Sequence, residues 1–228
     1  MKNLSIITAR GGSKRIPRKN IRNFLGKPII AYSIDTALKS EVFDEVMVST
    51  DDEEIAEIAE KYGAKVPFRR SAETSNDIAT TTDVILEVLR EYQKRGFHFE
   101  YACCIYPTAP FIKPEQIKTG YVKMLEVGAD VSFPVVKYSY PIQRALSIDD
   151  KGKLFMVCPE HSRSRSQDLT AHYHDAGQFY WFKVSAIKQN MELLKMNAVP
   201  IIIPETQVQD IDTEEDWVLA EMKYKLKI

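Results

Sequence analysis

Cysteine is scarce in this chain: three in 228 residues, with Cys103 and Cys104 adjacent in an apolar run and Cys158 alone. That spacing offers neither a zinc site nor a disulfide framework, and the three read as small buried hydrophobes. No run of about 18 apolar residues occurs anywhere, which excludes a spanning helix. The first residues also lack a signal-peptide apolar region with a cleavage site, so the expectation is a cytoplasmic protein without membrane partners. Histidine is sparse as well, at four. His172 and His174 share a strand face and His161 precedes them, but no matching cysteine or carboxylate spacing closes a four-ligand zinc site; a surface or substrate-contacting role is expected. Internal repeats and low-complexity linkers are missing. With 44% hydrophobic residues the chain can bury a substantial core, and residues 1–228 are expected to form a single domain.

A sharper absence is that of acid near the start. The first 34 residues hold Lys2, Arg10, Lys14, Arg15, Arg18, Lys19, Arg22 and Lys27 and no Asp or Glu; since the whole chain sums to −1, the other 194 residues sum to −9. Most of this charge falls in residues 9–20, directly after an apolar run, residues 4–8, that reads as a buried strand. A strand opening into a glycine-containing basic loop can hold phosphate, because glycine lets backbone N–H groups approach an anion and the cationic side chains neutralise it. The loop lacks the Gly-Lys-Ser/Thr ending of a Walker A loop and is not the dinucleotide fingerprint. A solvated basic face or a nucleic-acid patch could look similar. The near-zero net charge, with no comparable basic stripe elsewhere, argues against nucleic acid and for a small polyphosphate.

Strand-like and helix-like segments then alternate: helices over 28–38, 53–62, 81–93 and 114–127, strands over 45–50, 101–106 and 130–135. This rhythm specifies an α/β fold with a parallel sheet covered by helices on both faces. Ligands of such sheets sit beyond the carboxyl ends of the strands. That expectation gathers residues 8–19, 49–52 and 106–110 around one crevice. The rhythm breaks after Pro134. Residues 135–174 read as an insertion with two β segments about the turn 149–152, followed by a polar stretch, 161–168. Strands resume at 177–182 and 199–203, and a last helix begins after Thr213 with Trp217, Ala220 and Tyr224 on one face.

Asp210 and Asp212 carry the second chemical signal. In extended backbone, residues two apart share a side, so both carboxylates could face one hard cation while Ile211 turns to the core. Solvated loops often hold such pairs, and Asp212 could instead cap the last helix. A bound triphosphate favours the metal reading, since it normally arrives with Mg²⁺ and needs one or two protein carboxylates.

The stretches 7–20, 48–51, 107–110 and 210–213 together resemble the acylneuraminate cytidylyltransferases, the CMP-sialic acid synthetase family, in order from first strand to last helix. Within it, residues 106–111 and 174–181 are most similar to the pseudaminic acid branch. The resemblance implies a Rossmann-like, mainly parallel sheet of the nucleotide-diphospho-sugar transferase type, with 135–174 as a β-rich dimerisation arm reaching the neighbouring subunit's sugar site in a homodimer. It implies the condensation of CTP with a nonulosonic acid to a CMP-sugar and pyrophosphate, with Mg²⁺ as cofactor. Arg10 and Lys19 would serve the triphosphate and the leaving pyrophosphate, assisted by amides around Gly11, Gly12 and Ser13; Asp210 and Asp212 would hold the metal.

By the same resemblance, Asn20, Arg70, Asp77, Thr80 and Thr81 would contact the nucleotide, although Arg69 stands beside Arg70 where the family has one arginine. Tyr106, Thr108, Arg165, Gln178 and Tyr180 would contact the sugar, Arg165 through its carboxylate. Tyr106 stands where the family commonly has Gln, and Ala176 where it commonly has Asn. Both departures favour pseudaminate over neuraminate; legionaminate and the eight-carbon Kdo are further substrates to weigh. The general base is not identified. A non-catalytic nucleotide-binding regulator is the reading from another class, disfavoured by the intact Asp210, Asp212 and Lys19.

Overall fold

The first apolar run forms β1 (Asn3–Thr8), flanked on both sides by parallel strands in a computed structural model that describes residues 2–189 and 195–226. A short hairpin, β2 (Asn23–Phe24) and β3 (Lys27–Pro28), leads into α1 (Ile29–Ser40), then β4 (Glu45–Ser49) and α2 (Glu53–Lys61). After the four-residue α3 (Ala72–Ser75) come α4 (Thr81–Lys94), β5 (Tyr101–Ile105), α5 (Pro114–Glu126) and β6 (Val131–Lys137). The remainder comprises β7 (Leu146–Ile148), β8 (Leu154–Met156), β9 (Tyr173–Asp175), β10 (Phe179–Lys183), α6 (Val184–Ile187), β11 (Ala198–Ile202) and α7 (Glu214–Leu226). No helix among the described residues is long and apolar enough to cross a membrane.

The main sheet runs β11-β6-β10-β5-β1-β4, with β9 beside β6. It departs from the parallel expectation at two strands: β10 is antiparallel to both β5 and β6, and β9 is antiparallel to β6. The physical reason is the connection. After β6 the chain returns through the insertion rather than a crossover helix, so the returning strand enters from the opposite end. Alternating side chains of β1 feed two cores. Ile7 packs with Ile30, Ile34 and Trp181 on one face, and Leu4 and Ile6 pack with Ile85, Val88 and Phe182 on the other. Leu38, at helical spacing with Ile30, Ile34 and Ala37, is 41% exposed at the rim instead.

A third core decides where the chemistry sits. Ile16 of the basic loop, Phe24, Ile29 and Tyr32 pack against Ile211, Trp217 and Ala220. Phe24 meets Trp217 edge to face with ring centroids 5.6 Å apart, and the Arg22 guanidinium lies 4.5 Å over the Trp217 ring. Burying such aromatics contributes about 2–3 kcal/mol each. This cluster therefore binds the end of the chain to its beginning and carries Asp210 and Asp212 to the basic loop.

The insertion is built differently. Its β7–β8 hairpin contributes no buried residue, and leaves Ile148 and Leu154 about two-thirds exposed at 66% and 67%, near an 86% exposed Tyr140. An isolated two-stranded hairpin is marginal in water.

Candidate active site

The basic loop leaves β1 with the Ala9 N–H bonded to the Ser49 carbonyl at 2.9 Å, which fixes its exit beside β4. Its cations then divide into two groups. Arg18 adopts a left-handed backbone, φ 55°, and its guanidinium grips Asp52 at 2.8 Å and also Glu54. That ion pair pushes the Arg18 pKa up and holds the Asp52 carboxyl below its ordinary value. Arg22 takes the Glu214 carboxylate at 2.6 and 2.8 Å. These two arginines are structural pins. Arg10, Lys14, Arg15 and Lys19, by contrast, line a cavity of about 600 Å³ with Thr8, Ser13 and Asn20.

Each of those four cations faces a carboxylate. Asp77 accepts from Arg10 at 2.8 Å and from Lys14 at 2.5 Å, which lowers its pKa. Asp212 accepts from Arg15 at 2.7 Å and lies 3.4 Å from the Lys19 ammonium, which also donates to the Ile211 carbonyl. Asp212 does not cap the last helix. That task falls to Thr213 and Asp216, whose side chains bond each other's backbone N–H at 3.2 and 2.8 Å. Ile211 is fully buried, and Asp210 and Asp212 line the same cavity, as the alternation predicted. Burial, then the neighbouring Asp212 charge, raises the Asp210 pKa.

An exposed carboxylate, Asp210, and a partly buried one, Asp212, repel one another across from the basic loop and form a donor set suited to a hard divalent cation. Among the described residues no group of three metal-ligating side chains assembles, so such an ion would complete its shell with water and phosphate oxygens.

Of the three amides expected to assist, two are engaged within the protein, the Gly11 N–H by Asp51 at 2.9 Å and the Ser13 N–H by the Gly11 carbonyl at 3.0 Å, which leaves the Gly12 N–H beside the cationic side chains. Gly11 is required for close approach, because a Cβ there would meet Asp52 Oδ2 at 2.7 Å; Gly12 faces open space. Asn20 is buried and its amide donates to the Arg10 carbonyl at 2.9 Å, bracing the loop. The two neighbouring arginines separate cleanly. Arg69 points outward onto Glu53 at 2.6 Å, whereas Arg70 is buried with Nε 3.0 Å from Ser49 Oγ, and burial lowers its pKa.

Arg70 lines a side cavity of about 240 Å³ with Arg10, Asp77, Thr80 and Thr81. Thr80 is largely spent on capping α4 through a reciprocal bond pair with Asp83.

A further cavity of about 500 Å³ adjoins the first, sharing Tyr106 and Asp210 with it. Its wall is partly apolar, from Val136, Ala176 and the tyrosines. Tyr106 lies 5.5 Å, ring to ring, from Tyr180, and its hydroxyl is 3.4 Å from Thr81 Oγ1. Tyr180 donates to Asp175 at 2.6 Å; burial, with the carboxylate nearby, raises its pKa. Thr108 lines the first cavity, and Gln178 lies buried behind the second with its amide nitrogen on the Gln207 carbonyl at 2.7 Å. Arg165 is not brought in: its Nε holds Asp168 at 2.8 Å and the side chain is 73% exposed on the insertion. Sequence reasoning missed Asp175, Glu205, Gln209 and Lys223, which line the second cavity. Lys223 gave no signal, being one of several charged residues on a terminal helix.

A family model described as cytidylyltransferase matches residues 4–199. The pseudaminic acid cytidylyltransferase of Campylobacter jejuni subsp. jejuni serotype O:2 is 45% identical over 226 residues, spanning 99% of this chain and 97% of the relative. The CMP-N,N'-diacetyllegionaminic acid synthase of Legionella pneumophila is 34% identical over 233 residues, at 99% and 97% coverage. Among solved structures, a CMP:2-keto-3-deoxy-manno-octonic acid synthetase complexed with CTP aligns over 100% of both chains with a TM-score of 0.74; at 18% identity this is a likeness of fold.

Proposed function

The chain belongs to the cytidylyltransferase family, and from that premise we propose that it condenses CTP with a nonulosonic acid, pseudaminic acid, to give the CMP-sugar and pyrophosphate. One observation carries the reading: the cation-lined cavity and the partly apolar one meet at Tyr106 and Asp210. A nucleotide triphosphate on Arg10, Lys14, Arg15 and Lys19 would then present its α-phosphorus to an acceptor held against Tyr106 and Tyr180. The acceptor's anomeric hydroxyl oxygen forms the new P–O bond, the bond to the β-phosphate bridging oxygen breaks, and the hydroxyl proton is released. Charge accumulating on pyrophosphate is stabilised by Lys19 and Arg10, which stand in place before the reaction. Asp210 and Asp212 would hold Mg²⁺, which supplies charge neutralisation at the phosphates.

Pseudaminate is favoured over neuraminate by the wall of the second cavity. Tyr106 and Ala176 occupy positions where polar side chains would reward extra hydroxyls, and pseudaminate ends in a methyl where neuraminate carries a hydroxyl. The exposed apolar residues of the β7–β8 hairpin support a homodimer in which each insertion is covered by the partner. A step that consumes CTP is consistent with a cytoplasmic protein. The test is pyrophosphate release: it should require CTP and a nonulosonic acid together and match CMP-sugar formed one for one. Release without acid, or none with any acid tried, contradicts the proposal.

A further inference from the structure

The acceptor of the proposed reaction carries a carboxylate, yet the cavity assigned to it is lined by Asp175, Glu205 and Asp210. An anion entering there needs a cation. Asp175 is already engaged by neutral donors, the Tyr180 hydroxyl at 2.6 Å and the Gly177 N–H at 2.9 Å, and Glu205 accepts from Ser139. Histidine aside, Lys223 is the one cationic side chain lining this cavity among the described residues. It is half-buried, and its ammonium donates to the Val208 carbonyl at 2.8 Å, which fixes its position. No carboxylate of the described residues lies within ion-pair distance of it. A lysine has three donors, so two remain to be satisfied. Arg165, the residue that the family resemblance offers for the carboxylate, lies on the insertion with its Nε on Asp168 and would reach an acceptor only across a dimer, whereas Lys223 belongs to the chain's own cavity.

We infer that Lys223 binds the carboxylate of the sugar acid and so sets the enzyme's requirement for an acidic acceptor. The inference rests on the function proposed above. Removing the charge should weaken acceptor binding while leaving the nucleotide side, built on a different cavity, as it was. In Lys223→Gln, the KM for pseudaminate should rise at least about tenfold, a loss of about 1.4 kcal/mol, with the KM for CTP within about twofold of wild type. Lys223→Arg should recover most of the loss. Because the lysine also ties α7 to Val208, a second comparison removes any effect of loosened packing: inhibition by the acceptor's C1 carboxamide, in which the anion is gone, should be equal in wild type and Lys223→Gln.

An unchanged pseudaminate KM in Lys223→Gln overturns the assignment. So does a parallel rise in both KM values, or an equal loss for acid and carboxamide. If the wild-type protein forms no CMP-sugar from any nonulosonic acid, the proposed function itself falls and takes this assignment with it, an outcome visible before any variant is made.

Discussion

Asp212 and Arg15 stand 197 positions apart in the chain and meet at 2.7 Å, carboxylate oxygen to guanidinium nitrogen. The third core makes that contact possible, since Ile16 and Ile211, next to each partner, are buried in the same cluster. The pair bridges the basic loop and the carboxylates lining the cavity, so under the proposed reaction Asp212 would turn from Arg15 to Mg²⁺ and Arg15 from Asp212 to phosphate. Asp212→Asn should keep the fold, because the helix cap belongs to Thr213 and Asp216, while kcat drops by about 10² or more. Chelation by EDTA should abolish wild-type activity. Turnover in Asp212→Asn near wild type at limiting Mg²⁺ would remove Asp212 from the metal site.

Lys19 is held between the Ile211 carbonyl and Asp212 with its side chain only 18% exposed. A cation fixed in this way costs no reorganisation when pyrophosphate charge develops. For Lys19→Ala the expected result is a kcat lower by about 10²–10³ with a smaller rise in CTP KM. Steady-state kinetics with CTP varied would show the opposite split, a raised KM at full kcat, if Lys19 contacted only the ground state.

Acid stability should report the Arg18–Asp52 pair. Its carboxyl titrates below the ordinary value of 3.8, so the pair's stabilisation is present above that value and is lost as pH falls through the lower, folded-state pKa. Asp52→Asn should therefore lower stability by about 1–3 kcal/mol at neutral pH, the gap to wild type closing below about pH 4. Thermal melts across pH that stay equally separated down to pH 2 would contradict this.

The hairpin gives a prediction about assembly. Leu154→Asp combined with Ile148→Asp places charge on surfaces that are two-thirds exposed in one chain, so a monomer should tolerate the change and a dimer should not. Sedimentation should show dimer for wild type and monomer for the double variant. Dimer in both would mean that the interface lies elsewhere.

What could be read in the sequence and what could not divide on physical grounds. Buried periodicity located β1, β4, β5, β6, β10, β11 and the helices α1, α2, α4, α5 and α7 to within a few residues, because Ile7, Ile34 and Val88 must face a core wherever the chain goes, whereas the short β2, β3, α3 and α6 and the sheet strand β9, folded into the insertion, carry too few residues to show a period. The direction of β10 was not legible, since an apolar strand reads the same in either orientation and only the connection through the insertion reverses it. Within the site, a basic run marked one wall of the first cavity, but the run alone does not separate the pins Arg18 and Arg22 from the lining residues Arg10 and Lys19. That distinction depends on Asp52 and Glu214, distant in sequence. The second cavity drew on side chains from β6, β9, β10, the loop before α7 and α7 itself, so no local pattern announced it.

The assignment of the acceptor rests on Tyr106, whose ring packs against Tyr180 where the two cavities meet. It is tested most directly by the specificity constants for pseudaminate and neuraminate at saturating CTP. A terminal methyl in place of a hydroxyl against an apolar wall is worth about 1–3 kcal/mol, so pseudaminate should be preferred by at least about 10-fold. Equal constants for the two acids would contradict the acceptor assignment while leaving cytidylyl transfer in place.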